Sequence, residues 1–443
     1  MNGAAPATAP APACATRPWG RAIAWLLLLG PFFFASYGFA TWWTSRLAHV
    51  GSLVFDWERT IPFIAWTIVP YWAIDALYAI SLFLCSSRAE LDRHALRLLT
   101  AQLISVSGFL LFPLQFTFAR PEVDGVFGAM FAVLGAFDKP FNQAPSLHIS
   151  LLLILWVLYA HKVASRWRWV VHGAFTLIGV SVLTTWQHHF IDVPTGLAAG
   201  SICLWLWPTD HPSPLAAMAF TRDAQRRRLA VRYALGATAL FAVAAFGGGA
   251  WLWLCWASLA LALVALIYAA LDVHAFQKQE GRLSLAASAL LAPYLAGAWI
   301  NSRLWTLRDA AAAHVVDDVW IGRVPTRAEA DRMPRAIVDC CAELPAPARR
   351  GRYVAVPVLD LVCAGPQTLR SAAISIERLR AHGPVLVCCA LGYSRSATAI
   401  AAWLLHTGRA RGLAEAIALL RKARPKIVLT PDHEAALRAV TLA

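Results

Sequence analysis

Long apolar runs separated by short polar loops make up the chain as far as Asn301. About nine of these runs approach the roughly 20 mostly apolar residues that a helix needs to cross a bilayer. They begin near Ala22, Ile61, Leu98, Ile149, Val170, Val193, Leu229, Ala250 and Leu283. The runs from Ile149 and Val193 are short, and Pro293 interrupts the last one. The pattern predicts a multi-span α-helical membrane region.

After Asn301 charged residues become frequent, and short β-rich runs alternate with helical patterns. We expect buried strands over 319–322, 336–339, 353–357 and 385–388, and helices over 371–381 and 397–406. Strands that alternate with helices favour a compact α/β domain with a mainly parallel sheet.

These changes of pattern predict four segments. An Ala- and Pro-rich stretch over 1–20 is expected to be a disordered tail. A first membrane domain follows over 21–210, and additional transmembrane helices occupy 211–300. The α/β domain then covers 301–443, which is long enough for one hydrophobic core.

Composition supports a membrane protein: 59% of residues are hydrophobic, only 14% are charged, and the chain contains 20 Trp. Ordinary soluble proteins do not have this balance. The net charge of +14 is explained by cytoplasmic loops and attraction to anionic lipid. Because no nucleic-acid-binding motif is present, we expect no nucleic acid partner. The expected location is a bacterial inner (cytoplasmic) membrane, with the lipid bilayer as a partner.

The strongest chemical signal is a Cys and an Arg with five residues between them, Cys389 and Arg395. A thiolate can attack phosphorus while a guanidinium holds two phosphate oxygens. The expected strand over 385–388 leads into Cys389, and Gly392 lets the backbone fold closely around an anion. Arg395 opens a helix whose N–H groups point at the phosphate, and Ser396 can hydrogen-bond the sulfur.

This segment resembles the signature loop of cysteine-based protein tyrosine phosphatases, specifically the compact dual-specificity group. The resemblance covers about residues 314–443, and Val-Trp-Ile-Gly-Arg at 319–323 and Val-Pro-Val-Leu-Asp360 also resemble that family. It implies a Cys389 nucleophile, an Arg395 phosphate clamp and an Asp360 general acid. It also implies that Gly392 and Ser396 bind the substrate phosphate and that Ser396 assists release of the thiolate. The family usually has His at position 388, where this chain has Cys388.

A second pair of motifs lies in the first membrane domain. Ala144-Pro-Ser-Leu-His148 and the stretch from Trp186 to Asp192 each precede an apolar run. His188 and Asp192 are four residues apart, so they face each other on one helical turn. The carboxylate can fix the imidazole tautomer and make the ring a better nucleophile. His148 can donate a proton, and ionisable groups at span ends indicate function.

These motifs resemble the type 2 phosphatidic acid phosphatase superfamily, in particular its inositol-phosphorylceramide-synthase-like branch. Pro-Ser-x-His and His-x-x-x-Asp both match, and Arg120-Pro121 resembles the end of the first family motif. The resemblance implies that His188 attacks phosphorus and Asp192 orients it. It further implies that His148 protonates the leaving group and that two residues bind the substrate phosphate: Arg120 and Ser146.

Two positions depart from that superfamily. Pro113 stands where a Lys is expected, and Val182 where the third motif has Arg. A site with fewer cations is more like the lipid phosphotransferase branch, in which the phosphate acceptor is an alcohol.

The resulting fold class is a multi-span α-helical membrane domain followed by a compact α/β cysteine-phosphatase domain. The leading hypothesis is an integral membrane phosphatase with two phosphate-ester sites, of which the His site acts as a lipid phosphate phosphatase or phosphotransferase. The alternative is a membrane-anchored protein tyrosine or dual-specificity phosphatase whose membrane domain is non-catalytic. The corresponding substrates are a membrane lipid phosphate and a phosphoprotein. A transporter ranks last, because the runs from Ala22, Leu229 and Ala250 are almost free of polar residues.

Neither site requires a metal or another cofactor, because Arg side chains and helix N-termini supply the positive charge. The side of the membrane on which Cys389 lies stays open. Nine spans after a cytoplasmic amino terminus would place it outside, whereas a thiolate nucleophile favours the reducing cytoplasm. The cytoplasmic location requires that one run, such as that containing Pro293, lies along the interface.

Overall fold

The computed structural model describes residues 17–348 and 352–441. Most of the tail predicted over 1–20 lies outside these residues. The chain forms two compact units, the first ending at Asp210 and the second beginning at His211.

The first unit consists of seven α-helices in the described part of the chain. They are α1 (Trp19–Thr44), α2 (Ile68–Phe83), α3 (Arg88–Leu111), α4 (Gly125–Phe137), α5 (Leu147–Lys162), α6 (Arg168–Thr184) and α7 (Asp192–Leu206). Their buried faces share one apolar core that includes Leu91, Ile154 and Leu155. The sequence pattern did not predict α4, because its 13 residues are too short to give a span signal.

Helices α5 and α7 pack closely because α7 presents two glycines to α5. A Cβ atom on Gly196 would lie 2.7 Å from the Ser146 carbonyl oxygen, and one on Gly200 would lie 2.9 Å from the Ser150 carbonyl oxygen. Small residues spaced four apart allow two helix backbones to approach in this way. This packing brings the start of α5, with its Ser-x-His motif, against the start of α7.

The second unit begins with three helices, α8 (Ala224–Gly247), α9 (Leu254–Leu266) and α10 (Leu285–Trp305). A short antiparallel hairpin, β1 (Lys278–Gln279) and β2 (Arg282–Leu283), lies between α9 and α10. Helix α10 continues through Pro293. Helix α9 packs against both α8 and α10.

Five segments of the described chain are long and apolar enough to span a membrane. They are Trp19–Thr44, Ala65–Phe83, Arg88–Leu111, Ala224–Gly247 and Gly249–Leu271. The sequence pattern predicted about nine such runs. The other four form α5, α6, α7 and α10, which fall short in length or carry too many polar residues. Helix α7, for example, has 15 residues, and α10 contains Asn301, Ser302 and Arg303 near its end.

The α/β region contains a five-stranded sheet in the order β3-β4-β7-β5-β6. The strands are β3 (Ala312–Val316), β4 (Val319–Arg323), β5 (Ala336–Cys341), β6 (Tyr353–Val358) and β7 (Val385–Cys389). Only β3 is antiparallel to its neighbour, so the predicted mainly parallel sheet is confirmed. Strand β7 is central and buried on both faces, as its unbroken apolar sequence requires.

Five helices accompany this sheet in the described part of the chain. They are α11 (Arg327–Ala330), α12 (Pro366–Arg380), α13 (Arg395–His406), α14 (Leu413–Ala423) and α15 (Pro431–Thr441). The two predicted helices correspond to α12 and α13, whereas β3, α14 and α15 were not predicted. Helix α13 packs in the main core, where its Trp403 is fully buried.

Candidate active sites

The loop between β7 and α13 joins Cys389, the last residue of the strand, to Arg395, the first residue of the helix. Gly392 in this loop has φ 75°, a left-handed conformation that favours glycine. A Cβ atom there would lie 2.6 Å from the carbonyl carbon of Gly322 in β4. Glycine is therefore required at position 392 for two reasons, its backbone conformation and its contact with the strand.

The Cys389 thiol is 2% exposed and lies at the centre of the loop. The Gly392 N–H donates a hydrogen bond to its sulfur at 3.2 Å, and the Ser396 hydroxyl lies 3.3 Å from it. The N-terminus of α13, with the positive end of its helix dipole, begins at the end of this loop. The predicted contact between Ser396 and the sulfur is thus present.

Outer partners hold the carbonyl groups of the loop. The Ser302 hydroxyl in α10 donates to the Ala390 carbonyl, and the Arg424 guanidinium donates to the Leu391 carbonyl at 2.9 Å. Carbonyl groups bound on the outside leave the loop N–H groups to face an anion on the inside. The loop is therefore preorganised for a phosphate before any substrate arrives.

Glu343 holds the Arg395 guanidinium through both carboxylate oxygens, with N–O distances of 2.7 and 2.8 Å. Arg395 also donates to the Val358 carbonyl at 3.0 Å. Both side chains of the ion pair are buried. Burial alone would raise the pKa of Glu343, but the Arg395 charge and its hydrogen bonds lower that pKa below its usual value. Sequence reasoning missed Glu343, although an acidic residue just after the apolar run of β5 was a usable signal.

Asp360 follows β6 and reaches Arg395, with 2.9 Å between its Oδ1 and the Nη2 atom. Its side chain is 36% exposed, in contrast to the buried Glu343. Desolvation raises the pKa of Asp360 and the Glu343 charge adds to the shift, while Arg395 opposes it. A raised pKa keeps a carboxyl group protonated to higher pH, which suits a general acid.

Cys388 lies on the opposite face of β7 from Cys389, because successive side chains of a strand alternate. Its sulfur is 3.9 Å from Oδ1 of the buried Asp339. Burial raises the pKa of the Cys388 thiol well above its usual value, and the Asp339 charge raises it further. Cys388 is therefore a neutral thiol that cannot supply a positive charge in place of the expected His.

Lys278 in β1 anchors the segment that carries Glu343. Its ammonium group donates to the Asp339 carboxylate at 2.6 Å and to the backbone carbonyls of Cys341 and Leu344. All three N–H donors of the buried ammonium group are thus hydrogen-bonded. The hairpin between α9 and α10 thereby fixes the position of Glu343 and, through it, that of Arg395.

The motifs of the first unit meet at the α5–α7 contact. The Ser146 hydroxyl lies 3.3 Å from Nε2 of His188, and Nδ1 of His188 lies 3.0 Å from the Asp192 carboxylate. The His189 N–H also donates to Asp192. Asp192 therefore fixes the His188 ring and leaves Nε2 directed towards Ser146.

The remaining predicted residues of this site are Arg120 and His148. Arg120 donates to the Trp186 carbonyl at 3.4 Å and lies over the Phe131 ring. His148 stacks on Tyr71 with 4.2 Å between ring centroids. Among the described residues, the buried Nε atom of Arg120 and the buried Nε2 atom of His148 have no hydrogen-bond partner. Buried polar atoms left in this state are suited to a polar ligand.

A buried Glu that sequence reasoning missed supports the turn before α7. The Glu58 carboxylate lies 3.0 Å from Nδ1 of His189 and accepts the Phe190 N–H. The Thr117 N–H donates to the other ring nitrogen of His189. His189 is therefore occupied by structural contacts, and His188 is the histidine available for chemistry. Within residues 17–348 and 352–441, no group of three or more His, Cys, Asp or Glu side chains could hold a metal ion.

Residues 335–441 match the family model described as dual specificity phosphatase, catalytic domain. No curated protein matches the chain. Among solved structures, Tk-PTP in its active form is 25% identical, covers 30% of this chain and 98% of its own, and has a TM-score of 0.28. Human DUSP28 is 25% identical and covers 30% of this chain and 94% of its own, with a TM-score of 0.27. PTPMT1 in complex with PI(5)P is 17% identical and covers 30% and 96%, with a TM-score of 0.28.

The family match identifies a dual-specificity phosphatase catalytic domain at the carboxy-terminal end, and the protein is a phosphoric monoester hydrolase. The match does not extend into the first unit. The resemblance of that unit to the type 2 phosphatidic acid phosphatases stays a prediction.

Proposed function

We propose that the protein is an integral membrane phosphatase with two separate phosphate-ester sites, one built on Cys389 and one on His188. The single observation that carries the Cys389 site is the preorganised loop around its sulfur, with Arg395 fixed by Glu343. Five segments of sufficient length and apolarity support membrane integration.

In the first step at the Cys389 site, the thiolate attacks the phosphorus of a phosphomonoester. An S–P bond forms while the bond between phosphorus and the leaving oxygen breaks. Arg395 and the loop N–H groups bind the three non-bridging oxygens. Asp360 gives its proton to the leaving oxygen, so that a neutral alcohol departs. Because Glu343 and the Val358 carbonyl occupy Nη1, Arg395 must exchange the contact of Nη2 with Asp360 for a phosphate oxygen.

In the second step, water attacks the cysteinyl phosphate. The Asp360 carboxylate accepts a proton from this water as the new P–O bond forms, and the S–P bond breaks to release inorganic phosphate. Ser396, 3.3 Å from the sulfur, stabilises the departing thiolate by donating a hydrogen bond. Asp360 is then protonated again and ready for the next cycle.

At the second site, Nε2 of His188 would attack the phosphorus of a lipid phosphate ester and form a phosphohistidine. Asp192 stabilises the positive charge that develops on the ring, since it contacts Nδ1 at 3.0 Å. His148 would protonate the leaving oxygen, and Arg120 and Ser146 would hold phosphate oxygens. Transfer of the phosphoryl group to water gives a phosphatase, and transfer to an alcohol gives a phosphotransferase. The unpartnered Nε2 of His148 and Nε of Arg120 support a ligand in this place.

The alternative keeps the Cys389 site alone, with the first unit as a non-catalytic anchor and phosphoproteins as substrates. The two proposals differ in what His188→Ala does. Purified full-length protein in detergent would be given lipid phosphates and phosphotyrosyl or phosphoseryl peptides, and phosphate release measured. The two-site proposal requires that Cys389→Ser and His188→Ala each abolish a different part of the activity. It fails if His188→Ala has no effect on any substrate, and the Cys389 assignment fails if Cys389→Ser retains all phosphate release.

A further inference from the structure

A cavity of about 380 Å³ opens beside the catalytic loop in the second unit. Its polar end includes Glu343, Asp360 and the loop residues Ala390 and Leu391. Its walls come from helices α8, α9 and α10. The volume lies at the lower end of the range for small-molecule sites. The catalytic loop thus forms one end of a pocket whose other walls lie outside the dual-specificity phosphatase match.

The helices contribute a largely apolar lining to the cavity. Leu240 of α8, Leu261 of α9 and Pro293 of α10 contribute aliphatic surface. Tyr233, seven residues before Leu240 on α8, also lines the cavity. Seven residues of an α-helix span about 10 Å. The cavity therefore combines an edge of the catalytic loop with a largely apolar lining from the helices.

The distribution of charge restricts what the cavity can hold. Its described lining contains two acidic side chains, Glu343 and Asp360, and no Lys or Arg. Both carboxylates contact Arg395, which is assigned to the reacting phosphate. A second negative group on the substrate would meet these carboxylates without a cation to balance it. The lining therefore suits a single phosphomonoester on an otherwise uncharged and apolar body.

Two hydrogen bonds tie the helical segments to Asp360 and to the catalytic loop and make the cavity a built feature. The Tyr268 hydroxyl donates to the Asp360 carbonyl at 3.0 Å, and the Ser302 hydroxyl in α10 donates to the Ala390 carbonyl. Tyr233 packs between the rings of Tyr268 and Tyr294, with centroid distances of 5.4 and 5.9 Å. The walls are thus tied to the residues that carry the proposed chemistry.

We propose that this cavity binds the apolar portion of a lipid phosphomonoester while its phosphate occupies the Cys389 loop. This proposal rests on the proposed function of the Cys389 site and names its substrate class. Helix α8 and the segment containing α9 are both long and apolar enough to lie in a bilayer. A lipid can enter between such helices from the membrane, whereas a phosphopeptide would have to expose its backbone polar groups to an apolar wall.

Gly297 offers a direct test, because a Cβ atom there meets no other atom within 4 Å and the residue lines the cavity. Gly297→Phe places a large side chain in the cavity, and its Cβ atom meets no neighbour. The matched control is Ala296→Phe, because Ala296 is exposed and does not line the cavity. Leu240→Trp narrows the same cavity from α8. All variants carry His188→Ala, so that the first unit does not contribute lipid phosphate hydrolysis.

The assay compares kcat/KM for phosphatidic acid in mixed micelles with kcat/KM for water-soluble p-nitrophenyl phosphate. We expect Gly297→Phe and Leu240→Trp to lower the ratio of the first to the second by about tenfold or more, and Ala296→Phe to leave both values unchanged. The proposal is overturned if this ratio is unchanged in both cavity variants. It is also overturned if the cavity variants selectively lose kcat/KM for a phosphotyrosyl peptide. The Cys389→Ser variant distinguishes a failure of the cavity proposal from a failure of the proposed function. If Cys389→Ser retains activity on p-nitrophenyl phosphate, the proposed function of the Cys389 site is wrong.

Discussion

Glu343 and Arg395 form a two-pronged ion pair in which each carboxylate oxygen binds a different terminal nitrogen of the guanidinium. Glu343 is 2% exposed and lies 52 residues before its partner. The pair presets the plane of the guanidinium before a phosphate arrives. Preorganised charge of this kind avoids reorganisation during the reaction.

Replacement of Glu343 by Gln should therefore impair both stability and catalysis. The change removes the buried partner of Arg395 and leaves only the more exposed Asp360 carboxylate beside it, and the loss of one member of a buried pair typically costs about 3–5 kcal/mol. Thermal unfolding of the full-length protein in detergent, together with kcat on p-nitrophenyl phosphate, measures both effects. Glu434→Gln removes an exposed partner of Arg438 on α15 and serves as a control with little expected change. Equal behaviour of the two variants would show that Glu343 does not support Arg395.

The same ion pair gives a pH dependence with a definite sign. The folded state lowers the pKa of Glu343 below its usual value of about 4.3. The stabilisation is therefore fully present above about pH 4.3 and is lost as pH falls through the lowered pKa. We expect the stability difference between wild type and Glu343→Gln to shrink over that acidic range. If the stability difference between wild type and Glu343→Gln stays constant down to pH 3, the pKa of Glu343 is not lowered by its pairing with Arg395.

Asp360 should control the basic side of the pH profile. Its pKa is raised, so the protonated acid persists to higher pH, and kcat/KM, which reports the first step, should fall once pH rises through that pKa. Asp360→Asn should remove this basic limb and lower kcat/KM by about 10²-fold on an alkyl phosphate. The loss should be much smaller with p-nitrophenyl phosphate, whose leaving group needs no proton. Equal losses on both substrates would mean that Asp360 does not act as the general acid.

Elements with a local sequence pattern could be predicted from the sequence, whereas contacts between residues far apart in the chain could not. Strand β7 and helix α13 were predictable because they are continuous apolar segments on either side of a loop with distinctive chemistry. Glu343 and Lys278 were missed because their roles depend on partners 52 and 61 residues away. Neither a hydrophobic periodicity nor a sequence motif indicates such a contact between residues far apart in the chain.

The first unit shows the same limit in another form. The Ser-x-His and His-x-x-x-Asp motifs were visible as short patterns, and the fold places Ser146 within 3.3 Å of His188. Helix α4 and the contact between Glu58 and His189 were not predicted. A 13-residue helix lies below the length of a span, and a lone acidic residue in a loop carries no periodic signal.

Gly392 should tolerate no side chain. Alanine at this position would be strained by φ 75° and would also meet the Gly322 backbone at 2.6 Å. Gly408→Ala is a matched control, because Gly408 has φ 71° but no atom within 4 Å of its would-be Cβ. Both variants should lose about 1 kcal/mol or more of stability from backbone strain. Only Gly392→Ala should also lose phosphatase activity, measured on p-nitrophenyl phosphate, and full activity in that variant would show that the loop can move away from β4.

The close packing of α5 on α7 should be essential to the His188 site alone. In Gly196→Leu the new side chain would begin 2.7 Å from both the Ser146 carbonyl oxygen and Cβ of Ile149, so the helices must separate. Separation moves Ser146 away from His188, and a displacement of about 1 Å can cost about 10²-fold in rate. Gly173→Leu on α6 is the control, because Gly173 has open space around it.

Both variants would be assayed for phosphate release from phosphatidic acid in a Cys389→Ser background, which leaves the His188 site as the only proposed source of activity. The same substitutions in the native background report on the Cys389 site through p-nitrophenyl phosphate. We expect Gly196→Leu to abolish the first activity and keep the second, because Gly196 belongs to the first unit and Cys389 to the other. Retention of the first activity would mean that the Ser146–His188 contact is not needed for it, and the His188 site would lose its main structural support.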